Sequence, residues 1–164
     1  MSYTDIFMKC IEVILKNEGG YVNNQFDPGG ETNMGICKRN YPNLDIKNLT
    51  RNHAIEIYFI DYWSKMNLLE LINELTILHI FDMGVNTGIR TAIKIAQRIV
   101  GAKVDGYIGN ESESKINAFA GFLETYKQER KKYYFALARR KPELQVFLSG
   151  WLNRIDNCHF EIID

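Results

Sequence analysis

The sequence predicts a mainly α domain with one loop-rich, short-stranded segment at about residues 19–48. Two observations carry this reading. Apolar residues recur at three- and four-residue steps over most of the 164 residues, the period of helices that bury one face. Residues 19–48 instead gather two of the three prolines and five of the twelve glycines among many Asn and Asp, the composition of turns and short extended pieces. No internal repeat or low-complexity linker interrupts the chain, and its length suits one compact helical bundle.

The elements follow in order. Ile6, Phe7, Cys10, Ile11, Ile14 and Leu15 draw one stripe on a helix over 4–17, which Gly19-Gly20 stops. Thr50 is placed to cap a helix from Arg51 to Trp63. The next helix carries Leu71, Leu75, Leu78, Phe81, Asp82 and Val85 and ends at Asn86-Thr87-Gly88. Ile89, Ala92, Ile93, Ala96, Ile99 and Val100 mark another stripe, with Gly101 where a left-handed cap belongs. Asp105-Gly106 turns the chain, and Asn110 is expected to cap a short helix to Phe119. A longer helix runs from Phe122 to Arg140 until Pro142, and Phe147, Leu148, Trp151, Leu152 and Ile155 mark the last one. The basic residues of 127–132 and 139–141 read as a solvated helix face.

Charge and cysteine content narrow the function. Twenty Lys and Arg balance twenty Asp and Glu, so no uniform basic field draws in nucleic acid or anionic lipid. Every apolar segment is broken by charges well short of the roughly 18 residues of a membrane span. Met1–Asp5 has no basic region ahead of apolar residues, so neither a signal peptide nor stable membrane insertion is expected. Cys10, Cys37 and Cys158 are odd in number and far apart, which suits reduced, packing thiols. His53, His79 and His159 show no paired-ligand spacing, and the expectation is no metal and no cofactor.

Chemistry is expected where the first helix meets the irregular segment. Glu18 stands at the helix end, and Asp27 follows nine residues later in Asp27-Pro28-Gly29-Gly30. Hydrolysing a glycosidic bond needs a carboxylic acid to protonate the leaving oxygen and a second group to place water or steady an oxocarbenium-like centre. A carboxylic acid does this near neutral pH when burial or a neighbouring negative charge favours its protonated form. Glycines beside it let a bulky sugar approach the backbone. On residue chemistry alone the simpler reading is a solvated Glu18 and an ordinary β-turn, although a helix C-terminus disfavours an anion and Glu18 sits there regardless.

The runs Glu18-Gly-Gly-Tyr-Val-Asn and Asp27-Pro-Gly-Gly-Glu-Thr-Asn-Met-Gly-Ile36 resemble glycoside hydrolase family 108, the N-acetylmuramidase-type lysozymes also labelled secretion activator proteins. The likeness continues through Leu49-Thr50, Ile57–Trp63, Phe81–Gly88 and Gly150–Arg154. It implies an α+β lysozyme-like fold and cleavage of the β-1,4 bond between N-acetylmuramic acid and N-acetylglucosamine in peptidoglycan. The family's catalytic acid falls on Glu18. The order Glu, Asp, Thr is also similar to T-even phage lysozymes, which places Asp27 and Thr32 at the site. The Thr spacing is one residue shorter than in those enzymes, so Thr32 and Asn33 compete for that role.

The second half resembles a peptidoglycan-binding segment, whose Asp-Gly-x-x-Gly-Pro turn appears as Asp105-Gly-Tyr-Ile-Gly109-Asn110, with Asn110 in place of the proline. The expected division is a catalytic region over 1–88 and a peptidoglycan-binding-like region over 89–164, packed as one domain. Tyr21, Tyr62, Trp63 and Tyr107 offer rings for stacking on sugars, although aromatics at helical spacing are more often core. Tyr21, Asn33, Trp63 and Asn86 are the candidate substrate contacts. The implied partner is the peptidoglycan glycan strand, met by a monomer. With no signal peptide it is expected to be made in the cytoplasm and to reach the periplasmic wall through a holin or another exit route. Two other readings remain open at this point: a lytic transglycosylase, and a non-catalytic wall-binding or secretion-accessory protein.

Overall fold

In a computed structural model of the chain, residues 3–23 and 30–161 are described. They divide into two units, Met1–Asp61 and Tyr62–Asp164. The architecture is mainly α with one small sheet, as the sequence predicts.

The first unit opens on α1 (Asp5–Asn17), capped as its sequence requires: the Thr4 side chain accepts from the Phe7 N–H at 3.4 Å. Phe7, Cys10, Ile11 and Ile14 of the predicted stripe are fully buried. The Phe7 ring meets those of Tyr3 and Phe59 at centroid separations of 5.2 and 5.1 Å. The loop-rich segment contains β1 (Val22–Asn23), β2 (Glu31–Asn33) and β3 (Ile36–Cys37), paired antiparallel in that order. Thr32 is opposite both Val22 and Cys37. The two-residue turn Met34-Gly35 has φ of 48° and 76°, and positive φ at both positions makes a hairpin of the type whose twist matches its strands. The Asn33 amide donates to the Ile46 carbonyl at 3.0 Å, and Lys38 Nζ to the Leu44 carbonyl at 2.7 Å, holding the following loop to the sheet.

Thr50 caps α2 (Arg51–Tyr58) by accepting from the His53 N–H at 3.3 Å. The helix predicted to run to Trp63 is α-helical only to Tyr58, then widens into a π-helical turn, Phe59–Trp63, before the short α3 (Ser64–Met66). Such a turn takes in an extra residue and shifts the face of everything after it, which a 3.6-residue pattern does not reveal.

In the second unit α4 (Glu74–Thr87) is the central helix, with every residue from Thr76 to Gly84 buried. Its start corrects the sequence reading, because Leu71 lies outside it. Asn73 caps the helix by accepting from the Thr76 N–H at 2.8 Å, and Leu71 is buried in the turn before. α5 (Ile89–Val100) ends at Gly101 with φ 61°, the expected left-handed cap. α6 (Asn110–Ala118) is capped by Gly109 rather than Asn110. Asn110 is the first helical residue, the position that suits a proline, so replacing the resemblance's proline leaves the turn intact. α7 (Phe122–Arg140) packs on α4, α5 and α8 (Leu148–Asp156), with Pro142–Phe147 forming a 3-10 turn that takes Phe147 out of the last helix.

The solvated face expected over 127–132 fails at Arg130, which is fully buried. It and Arg154 pair with the buried Asp82 of α4, Arg154 Nε at 2.8 Å from the other carboxylate oxygen. Arg130 Nη1 lies 2.8 Å from His79 Nδ1. Burial by itself would raise the Asp82 carboxyl, but the two guanidinium groups hold it below its ordinary value. Burial, with Arg130 beside it, depresses His79 to about 3, so the imidazole is neutral: it accepts from Arg130 and donates to the Cys158 backbone carbonyl. The periodicity placed Asp82 on the apolar stripe correctly; its partners are 48 and 72 residues away.

Candidate active site

Glu18 terminates α1 in extended backbone, φ −85° and ψ 132°, while its N–H still closes on the Ile14 carbonyl at 3.0 Å. The chain therefore leaves the helix at this residue, and the next carbonyl, that of Gly19, accepts from the Met34 N–H at 3.1 Å. The Met34 carbonyl accepts from the Tyr58 hydroxyl at 2.9 Å. The hairpin tip is thus tied on one side to the end of α1 and on the other to α2, which holds Met34 in a left-handed conformation that a side chain rarely adopts.

Gly35 lets these groups converge. A β-carbon there would come within 2.7 Å of Glu18 Oε2 and 2.8 Å of its Cδ, and would also collide with the Tyr58 hydroxyl. Only a residue without a side chain allows the half-buried Glu18 carboxylate and the Tyr58 hydroxyl to occupy the same corner of the hairpin.

Of the other predicted site residues, Thr32 lies half-buried in the central strand, one step from Asn33, so the two side chains leave opposite faces of the sheet. Asn33 is buried, its amide donating to the Ile46 carbonyl. The exposed Tyr21 donates from its hydroxyl to Glu31 Oε1 at 2.9 Å, and that bond raises the hydroxyl above its ordinary pKa. Asp27 lies outside the described residues. In the second unit, Trp63 is 4% exposed and meets Phe81 edge-on at 5.1 Å, the core placement of the two its spacing allowed. Asn86 is exposed, its side-chain oxygen accepting from the Tyr134 hydroxyl at 2.6 Å. Among the described residues no cluster of His, Cys, Asp or Glu is arranged to hold a metal ion, and no helix is long and apolar enough to cross a membrane.

Gly35 and Tyr58 were not singled out from the sequence. Gly35 suits the positive φ of a hairpin turn, but Met34 beside it gives no such signal. Tyr58 carried none, because its hydroxyl reaches a carbonyl 24 residues away.

Comparison with known proteins bears on the family and the fold. Residues 11–88 match the family model described as Glycosyl hydrolase 108, and residues 91–156 the one described as Predicted Peptidoglycan domain. The solved structure of SagA from Brucella abortus is similar over 93% of this chain and 90% of that one, at 28% identity and a TM-score of 0.76. No curated protein sequence matches. The small sheet among helices is accordingly part of a lysozyme-like fold, and residues 11–88 belong to the glycosyl hydrolase 108 family, followed by a peptidoglycan domain over 91–156, which makes the chain a peptidoglycan hydrolase.

Proposed function

We propose that the chain is an N-acetylmuramidase that cleaves the β-1,4 bond between N-acetylmuramic acid and N-acetylglucosamine, with Glu18 as general acid. The observation that carries this reading is the fixed position of the Glu18 carboxylate, at a helix end and against a hairpin tip whose glycine leaves room beside it. A carboxylic acid in such a corner protonates the glycosidic oxygen as the bond to the leaving sugar breaks. Asp27 then orients the attacking water or steadies the oxocarbenium-like centre, with Thr32 of β2 placing that water. Tyr21, 39% exposed and oriented by Glu31, offers a ring to the apolar face of a sugar.

The test is release of soluble fragments from purified sacculi. Glu18→Gln keeps the shape of the side chain and removes its proton, so release falls about a hundredfold or more with the circular dichroism spectrum unchanged. Asp27→Asn also lowers it steeply. Full activity in Glu18→Gln overturns the assignment, whereas full activity in Asp27→Asn alone favours a transglycosylase using one acid–base residue.

A further inference from the structure

We infer that the C-terminal end of α7 and the 3-10 turn after it form a peripheral docking face for an anionic phospholipid bilayer. In it Arg139, Arg140 and Lys141 meet headgroup phosphates while Phe135, Val146 and Phe147 enter the interfacial layer. The face uses none of the residues given catalytic roles above.

Its charge is segregated. Between Glu129 and Glu143 the sequence has six basic residues and no acidic one. The first three are paired within the protein: Arg130 with Asp82, Lys131 with Asp156 at 2.6 Å and Lys132 with Glu129 at 2.6 Å. Arg139, Arg140 and Lys141 are exposed and, among the described residues, pair with no carboxylate. A helix C-terminus favours cations through its macrodipole, so the charge alone calls for no ligand.

The apolar side chains beside those cations are what neither the macrodipole nor the core explains. Phe135 is 46% exposed and stands one helical turn before Arg139, so ring and guanidinium share a stripe of α7. The Leu144 N–H donates to the Lys141 carbonyl at 2.9 Å, which starts the 3-10 turn at the cationic end of the helix. That turn contains no buried residue; Val146 is 77% exposed and Phe147 54%. Exposed apolar side chains gathered beside charge mark an interaction surface.

The turn is nevertheless held in place. It packs on α7 and α8, and a row of rings runs outward from the buried Tyr134 through Trp151 to Phe147, at centroid separations of 4.9 and 6.0 Å. The row starts beside Phe135 and ends at the exposed turn, so the face is presented on a fixed support with little left to order on binding. An acidic polypeptide would match the cations and leave the apolar tips in water. A bilayer matches both, with phosphates at its surface and an apolar layer just beneath. Among the described residues no helix is long and apolar enough to cross a membrane, so the contact is peripheral.

The experiment is co-sedimentation of the full chain with vesicles of phosphatidylglycerol and phosphatidylcholine, and with vesicles of phosphatidylcholine alone. Binding to the anionic vesicles should be about tenfold tighter or more, and should weaken as salt rises. Arg139→Gln/Arg140→Gln should lower it about tenfold. Val146→Ser should lower it about threefold or more while Val146→Leu keeps it, with thermal unfolding unchanged in every variant. No binding to the anionic vesicles, equal binding to the neutral ones, or indifference to either weakening variant overturns the inference. So does binding to polyglutamate that is as tight as to the vesicles and insensitive to Val146→Ser, which assigns the face to an acidic polypeptide. The muramidase reading is judged by products released from purified sacculi, so either can fail alone.

Discussion

The Glu18 carboxylate occupies the space that a side chain on Gly35 would need: Oε2 is 2.7 Å from the position of a β-carbon there. The hairpin tip and the helix end are therefore fitted to one another, and the fit depends on one missing methyl group.

Gly35→Ala is the sharpest probe of that fit. The methyl must displace Glu18 and Tyr58 and also adopt a positive φ, which together cost about 2 kcal/mol or more. A displaced acid loses turnover about a hundredfold. Sacculus hydrolysis and a urea titration should show both losses, and near-normal activity would mean that the corner is not where the acid works.

Tyr58→Phe removes only the hydroxyl that holds the Met34 carbonyl. The expected cost is about 1–2 kcal/mol, because a carbonyl inside the first unit loses its donor. On a soluble glycan kcat should fall with KM little changed, since the tip shifts against Glu18 without loss of a sugar contact. A rise in KM alone would place Tyr58 against substrate instead.

The buried charges of the second unit should respond asymmetrically. Asp82→Asn leaves Arg130 buried without a counter-charge and should destabilise the unit by about 3–5 kcal/mol. Arg130→Met should cost less, because Arg154 still pairs with Asp82. The double variant Asp82→Asn/Arg130→Met should cost clearly less than the two single losses together, as a chemical-denaturation cycle would reveal.

His79 predicts acid sensitivity. Its folded pKa of about 3 lies below the unfolded value of about 6.5, so between those values the unfolded chain binds the extra proton. Stability is therefore full above pH 6.5 and falls by up to about 1.4 kcal/mol per unit as pH drops toward 3. Asp82 adds its own loss only below about pH 3.9, where the unfolded carboxyl protonates first. His79→Gln should flatten the slope between pH 6 and 4, and an unchanged slope would assign it to another group.

What was legible in the sequence follows the range of the interaction. Caps and stripes are local, so Thr50, Gly101 and the buried face of α1 were readable within one or two turns. The cap at Asn73 was equally local but was hidden by Leu71, a buried residue at helical spacing that belongs to the preceding turn. Arg130 looked like its lysine neighbours because its partners, Asp82 and His79, come from another helix. For the candidate site, Glu18 was visible through its motif and its contrary place at a helix end, while Tyr58 was not, since only the folded hairpin brings Met34 to it.

Mass spectrometry of the soluble products from Gram-negative sacculi, with native Glu18 and with Glu18→Gln, tests the central claim most directly. Fragments ending in reducing muramic acid, released only when Glu18 is present, are the predicted result. Anhydro-muramic ends, or the same fragments from Glu18→Gln, would contradict a muramidase that uses this carboxylate.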